Sequence, residues 1–234
     1  MAELKVILLA AGESRRMGVP NKLLLEIGSV PLVRRTAETL AAISDADVTV
    51  VLGYEADEIR AALTDMPVGF TVNDDHATGQ MSSVHAGLAA AGEGSSFLIV
   101  PADMPRLTTL DCLLLLDAHN AAPKGHITVP CREHEGARQR GNPVILPASA
   151  AQTVLDGGIN LGCRGLLDRE PGLLHVFETD RDGFFVDMDT PDAYADVLAD
   201  AAKYLPAGSE RRHPEWNYPT KSPSPRRVTV FTRH

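Results

Sequence analysis

LKVILLAAGESRRMG, residues 4–18, couples a buried strand to a loop suited to anions. Residues 4–10 are short, almost wholly apolar and soon followed by Gly12, which is the pattern of a buried strand. The loop at 11–21 then carries Gly12, Ser14, Arg15, Arg16 and Gly18, and Lys22 stands just after it. Glycines let backbone N–H groups approach phosphate oxygens. Arg16 can fork two donors onto one phosphate, and Lys22 adds a compact positive charge. A glycine turn with solvated arginines would show the same composition. The strand before the loop and Lys22 after it favour a phosphate grip. The spacing matches neither a Walker loop, which needs GKS or GKT, nor GxGxxG.

Outward from this stretch, strands and helices alternate. Pro31 opens a helix with apolar positions Leu32, Val33, Thr36, Ala37, Leu40 and Ile43 at three- and four-residue spacing. Residues 48–52 read as a strand, 56–63 as a helix and 68–72 as a third strand. Ser82 is the predicted cap of a helix reaching about Ala91, with Gly92 just past its end. Residues 97–100 form a fourth strand, and Thr108 caps the next helix with Asp111 in its first turn. Residues 127–129, 144–146, 173–177 and 184–186 read as further strands. Thr190 and Pro191 start a last helix that reaches about Lys203. This alternation predicts a mostly parallel sheet with helices on both faces. Ligands in such sheets sit beyond the carboxyl ends of the strands. The three chemistry-bearing loops, at 11–21, 101–105 and 187–190, all follow predicted strands and converge on one sheet edge.

Composition bounds what this edge can bind. The chain has 234 residues, 44% of them hydrophobic, enough for one sizeable core. Its net charge of −9 disfavours general nucleic-acid binding, which needs clustered positive charge. A polyphosphate must therefore be held by local cations, helix N-termini and metal. Three separated cysteines, Cys112, Cys131 and Cys163, fit free thiols in a reducing compartment. No apolar run approaches the ~20 residues of a membrane span, and the start reads as a strand rather than a leader. A cytoplasmic location is expected. The eight histidines are scattered, without zinc-ligand spacing. From residue 206 onward the chain is rich in proline and arginine, so 1–205 is the expected domain. Residues 206–234 are an expected flexible tail, or one that docks through Trp216 and Tyr218.

LAAGESRRMG followed by Asn21-Lys22-Leu23-Leu24 resembles the signature of molybdenum cofactor cytidylyltransferases, within the MobA-like family of NTP transferases. The resemblance continues in order through Asn73, Gly79-Gln80-Met81-Ser82-Ser83, Pro101-Ala102-Asp103-Met104-Pro105, Gly141-Asn142-Pro143-Val144 and Asp187-Met188-Asp189-Thr190-Pro191. It implies a Rossmann-like, three-layer α/β nucleotidyltransferase fold of the nucleotide-diphospho-sugar transferase type. It also implies that Leu9, Ala10, Ala11 and Gly12 lie along the base and phosphates with Ser14, that Arg16 and Lys22 hold the triphosphate, and that Asn73, Ser82 and Ser83 lie near the nucleoside. Asp103 and Asp189, with Asp187, would hold Mg²⁺. Gly141, Asn142 and Pro143 would face the acceptor.

The residues agree with that chemistry. Attack of a phosphate oxygen on an NTP α-phosphorus needs in-line alignment and charge neutralisation. Mg²⁺ takes one or two carboxylates and otherwise phosphate oxygens and water. One of Ser82 and Ser83 would cap a helix whatever the ligand, and a helix N-terminus is itself an anion site. Residues 132–140, REHEGARQR, read as a solvated loop or as a clamp for an anionic acceptor. Asn160 stands where the family carries aspartate, which puts the acceptor rather than the donor in question.

The expected activity is transfer of CMP from CTP to the phosphate of molybdopterin. The lean to CTP rests on Ala11, since guanylyltransferases of the family tend to carry glycine there and so leave room for a larger base. Rival readings are a nucleotidyltransferase for a sugar phosphate or other phosphate, and a non-catalytic nucleotide-binding partner of a molybdoenzyme. A molybdoenzyme or its chaperone would also be a fitting partner.

Overall fold

The computed structural model describes residues 4–14, 21–43, 46–157 and 163–204. Arg15, Arg16, Met17, Gly18, Asn160 and the tail lie outside the described residues. Strand β1 (Leu4–Ala10) is buried along its whole length. It lies between β2 (Asp47–Leu52) and β4 (Ser96–Pro101), parallel to both. Strand β3 (Gly69–Val72) adds in parallel beyond β2. On the other side, β7 (Val144–Pro147) runs antiparallel to β4 and to β5 (Ile127–His134). Strand β8 (Leu174–Glu178) pairs with β5 in parallel, and β6 (Ala137–Arg140) pairs with it antiparallel. The sheet path is β3-β2-β1-β4-β7-β5-β6.

Alternation along β1 explains its burial. Leu4, Val6, Leu8 and Ala10 point into one core; Ile7, Leu9 and Ala11 point into the other. The first core is closed by α1 (Leu32–Ala41), α2 (Ala56–Ala62), α4 (Thr109–Ala121) and α7 (Pro191–Tyr204). The second is closed by α3 (Gln80–Ala91), α5 (Ala148–Gly157) and α6 (Cys163–Arg169). The fold is therefore the expected three-layer α/β arrangement. Gly87 lets α3 lie flat on the sheet, because a Cβ there would meet the Ile7 side chain at 2.4 Å.

Capping follows the sequence at two of the three expected helix starts. Thr108 and Asp111 form a reciprocal capping box on α4, and the Thr190 hydroxyl accepts from the Ala193 N–H at 3.2 Å. Ser82 is the exception. Helix α3 starts earlier, at Gln80, with Gly79 as its cap. The Ser82 hydroxyl points backward instead, donating to the carbonyls of Gly79 (2.8 Å) and Asp75 (3.0 Å).

Two further readings are corrected. Residues 132–140 are not a loop but the outer part of a β5–β6 hairpin, whose turn residues Glu135 and Gly136 both have positive φ. Residues 184–186 are not a strand; they follow a 3-10 turn, Asp182–Phe184, closed by N–H groups of Phe185 and Val186 donating to the Asp182 carbonyl. Gly183 packs closely on Asp111, where a Cβ would sit 2.4 Å from the carboxylate. Among the described residues no helix is long and apolar enough to cross a membrane.

At the amino-terminal end of the sheet, away from the loops of interest, His119 contacts the Thr128 hydroxyl through Nδ1 (2.9 Å) and the Ser96 hydroxyl through Nε2 (3.2 Å). The same Thr128 hydroxyl lies 3.3 Å from His175 Nδ1. Burial, and then the nearby charge of His175, push the His119 pKa below its usual value. The unfolded chain therefore takes up this proton more readily than the folded one, so stability falls as pH drops below about 6.5 and levels off below the folded-state value. Urea midpoints measured from pH 5 to 7.5 are expected to rise with pH, and to rise less steeply in His119→Gln. Equal slopes would remove His119 from the pH dependence.

Candidate active site

Ladder bonds carry on past the carboxyl ends of the strands and fix the loops there. Ala102 N–H donates to the Leu9 carbonyl (3.1 Å), Tyr54 N–H to that of Ala11 (3.3 Å) and Asn73 N–H to that of Leu52 (2.8 Å). Met188 N–H donates to the Asp103 carbonyl at 2.9 Å, which lays the segment with Asp187 and Asp189 beside the end of β4. Ser14, held in the left-handed region at φ 52°, turns the loop after β1. Its hydroxyl accepts from the Lys22 N–H at 3.1 Å and donates to the Asn21 side chain at 3.3 Å. Asn21 in turn caps a one-turn 3-10 helix, Lys22–Leu24. Backbone bonding thus fixes where the Lys22 side chain starts.

That side chain ends between two carboxylates. Lys22 Nζ lies 2.5 Å from Asp103 Oδ2 and 2.5 Å from Asp189 Oδ1. Only 12% of the lysine side chain is exposed, against 21% for each partner, so solvent screens the group weakly. Burial alone would push the ammonium pKa down; Asp103 and then Asp189 outweigh it and raise it, keeping the group charged. Asp187 stands nearby. Burial first, and then the charges of Asp189 and Asp103, push its carboxyl up. Among the described residues, the carboxylates of Asp103, Asp189 and Asp187 gather here around the Lys22 ammonium and offer hard oxygen donors. That donor set suits a hard divalent cation such as Mg²⁺. Among the described residues no group of three or more His, Cys, Asp or Glu side chains is arranged to hold a metal by itself.

The junction lies within a cavity of about 690 Å³. One end is lined by Leu9, Ala11, Gly12, His76, Gln80 and Ser83; the other by Gln139, Arg140, Gly141, Asn142, Phe185 and Asp187. The sequence-predicted residues divide accordingly. Leu9, Ala11, Gly12, Ser14, Lys22, Ser83, Asp103, Asp187, Asp189, Gly141 and Asn142 line one cavity. Ala10 faces the core instead. Asn73 and Ser82 sit behind the wall: the Asn73 amide donates to the Ser82 and Ser83 hydroxyls (2.9 and 3.0 Å), and its oxygen accepts from Asp75 N–H. Pro143 follows a cis peptide bond and does not line the cavity. Arg16 lies outside the described residues.

Gln139 and Arg140, from the 132–140 stretch read as a solvated loop or an acceptor clamp, line the cavity, whereas sequence reading missed Phe185. Arg132 on β5 stacks over the Phe185 ring at 4.2 Å and donates to the Gln139 side chain at 2.8 Å. Opposite them, Asn142 N–H donates to the Phe184 carbonyl at 2.9 Å.

A sheet of this order, with a glycine-bearing loop after its first strand and carboxylates and a lysine converging beyond its strand ends, defines a nucleotidyltransferase. More particularly, the chain belongs to the MobA-like NTP transferase family, whose domain model matches residues 6–173. Nucleotidyltransferases of this type generally use divalent metal ions. A nicotine blue oxidoreductase from Paenarthrobacter nicotinovorans is 29% identical over 187 residues, covering 79% of this chain and 91% of the relative. A probable molybdenum cofactor guanylyltransferase from Natronomonas pharaonis is 33% identical over 125 residues, covering 52% of this chain and 61% of the relative. A solved CMP:2-keto-3-deoxy-manno-octonic acid synthetase complexed with CTP superposes with a TM-score of 0.71, covering 87% of this chain and 100% of its own. At 15% identity that likeness concerns the fold.

Gly141 makes the hairpin end of the cavity testable. A Cβ there would sit 2.4 Å from the Phe184 carbonyl oxygen and 2.9 Å from the Phe185 ring, so backbone must move. Gly141→Ala is expected to cost about 1–3 kcal/mol in urea unfolding, the usual range for overpacking. An unchanged midpoint would show that the 184–185 segment yields freely.

Proposed function

We propose that this chain is a cytoplasmic, Mg²⁺-dependent cytidylyltransferase that moves CMP from CTP to the terminal phosphate of molybdopterin. The observation that carries the reading is the meeting of Lys22, Asp103 and Asp189 from three separate loops inside one cavity. In the reaction an acceptor phosphate oxygen bonds to the α-phosphorus of CTP. The bond from that phosphorus to the oxygen bridging the β-phosphate breaks, and pyrophosphate leaves. No covalent enzyme intermediate is required.

Each residue has a part. Gly12 and Ser14 cradle the phosphates, and Lys22 and Arg16 neutralise them as charge builds up. Asp103 and Asp189 hold the cation, and Asp187 adds negative charge beside them. When bound, the cation supplies Lewis-acid polarisation of the phosphate oxygens. Ala11 and Ser83 border the base; Asn73 and Ser82 fix that wall from behind. Gly141 and Asn142 border the acceptor, and Pro143 fixes the bend after them. Ala11 narrows the base end by one methyl group, which supports a pyrimidine. The alternative acceptors are sugar phosphates or other phosphates, and a non-catalytic partnership with a molybdoenzyme is the weaker rival. The oxidoreductase name of one relative favours a second reading, in which the cavity takes a reduced dinucleotide.

Pyrophosphate release from each of four NTPs, with molybdopterin or sugar 1-phosphates as acceptor, separates these readings. CTP with molybdopterin is the expected pair. Preference for GTP would overturn the role of Ala11, and preference for a sugar phosphate would overturn the acceptor. Consumption of NADH or NADPH with nicotine blue added as the hydride acceptor, and without pyrophosphate release, would favour the oxidoreductase reading. In the active pair, Lys22→Ala is expected to cost about 3–4 kcal/mol of transition-state stabilisation, like loss of one charge-stabilising donor. Wild-type turnover in that variant would remove Lys22 from the mechanism.

A further inference from the structure

We propose that the Lys22 ammonium and the divalent cation compete for the same two carboxylates, so that the cation enters with the nucleotide and Lys22 then moves onto the phosphates. This rests on the proposed role of Asp103 and Asp189 as metal ligands. Lys22 Nζ is 2.5 Å from one oxygen of each. An ammonium placed between two carboxylates stands where a cation shared by them would sit. A divalent ion drawn there would meet both the steric bulk and the like charge of the ammonium.

The surroundings let the lysine leave without unfolding anything. Its backbone is fixed by the Ser14 hydroxyl and by the Asn21 cap, so only the four-carbon stem needs to swing. The stem lines the same cavity as Gly12 and Ser14, the residues assigned to the phosphates. The charge count favours exchange only when phosphates are present. Without them, an ammonium released from Asp103 and Asp189 loses two short ion pairs. With them, it gains phosphate oxygens while the cation takes over the carboxylates. Lys22 is then both the guard of the metal position and a phosphate ligand. Metal and nucleotide must strengthen each other's binding by one and the same factor.

Binding of Mn²⁺ alone tests this, read from the electron paramagnetic resonance signal of free Mn²⁺. Wild type, Lys22→Met, Asp103→Asn and Asp189→Asn are compared, each first shown to unfold cooperatively. Lys22→Gln serves as a second variant should Lys22→Met fail to fold. Without nucleotide, loss of the ammonium is expected to tighten Mn²⁺ binding on the order of tenfold, within the usual range of coupling between sites. With α,β-methylene CTP present, that advantage is expected to vanish or reverse. Unchanged or weaker nucleotide-free binding in the Lys22 variants, with binding still lost in the two aspartate variants, would overturn the exchange and leave the metal-ligand assignment standing. Mn²⁺ binding unaffected by either aspartate variant would overturn the assignment itself, and the exchange with it.

Discussion

One ammonium between two carboxylates organises this protein's working edge. Lys22 follows the loop after β1, Asp103 follows β4 and Asp189 precedes α7, at separations of 81 and 167 residues from the lysine. Two carboxylates brought together in a partly dry cavity repel, and a charge left there without a partner is costly. The lysine resolves this by bridging them. The parallel strands bring the loops to the same end of the sheet, and the bond from Met188 to Asp103 sets the last segment beside β4. The rest of the cavity is arranged around this junction, with lining residues from α3 and from the β5–β6 hairpin.

The two ends are built by different means. On one side, an asparagine spends its hydrogen-bonding capacity on two serine hydroxyls and a backbone N–H, which pins the start of α3 against the end of β3. On the other, a hairpin carries Gln139 and Arg140 to the rim, and stacking of Arg132 on Phe185 joins it to the segment that leads to Asp187 and Asp189. That segment is tied down again where Arg181 pairs with the buried Asp111, and where Arg106 and Arg132 reach Asp182. The hairpin end therefore depends on contacts between distant parts of the chain, and the α3 end mainly on local turns.

The same difference explains what could be read from sequence. The β1 strand was legible because its seven residues are buried on both faces and so are nearly all apolar. The caps at Thr108 and Thr190 were legible because side-chain capping is local chemistry. The meeting of Lys22 and Asp103 followed from topology, since they lie just beyond the ends of the adjacent parallel strands β1 and β4, whereas Asp189 is placed by the bond from Met188 to Asp103 and not by a strand of its own. The hairpin was not legible, because β6 reads Ala-Arg-Gln-Arg with no apolar alternation and is held by pairing to β5 alone. The segment at 184–186 looked like a strand because its residues are apolar, but the N–H groups of Phe185 and Val186 turn back to the Asp182 carbonyl instead of pairing with a strand. Ser82 looked like a cap because its residue type favours one, but Gly79 at φ 120° turns the chain earlier. Nothing in residue type alone shows that Asn73 and Ser82 stand behind the cavity wall while Ser83 faces it.

An anomalous difference map from crystals grown with MnCl₂ and a CTP analogue that cannot be cleaved locates the cation. One peak is expected at coordination distance from both Asp103 and Asp189, with Lys22 Nζ moved to hydrogen-bonding distance of a phosphate oxygen. A peak elsewhere, with Lys22 still bridging the two aspartates, would contradict that arrangement.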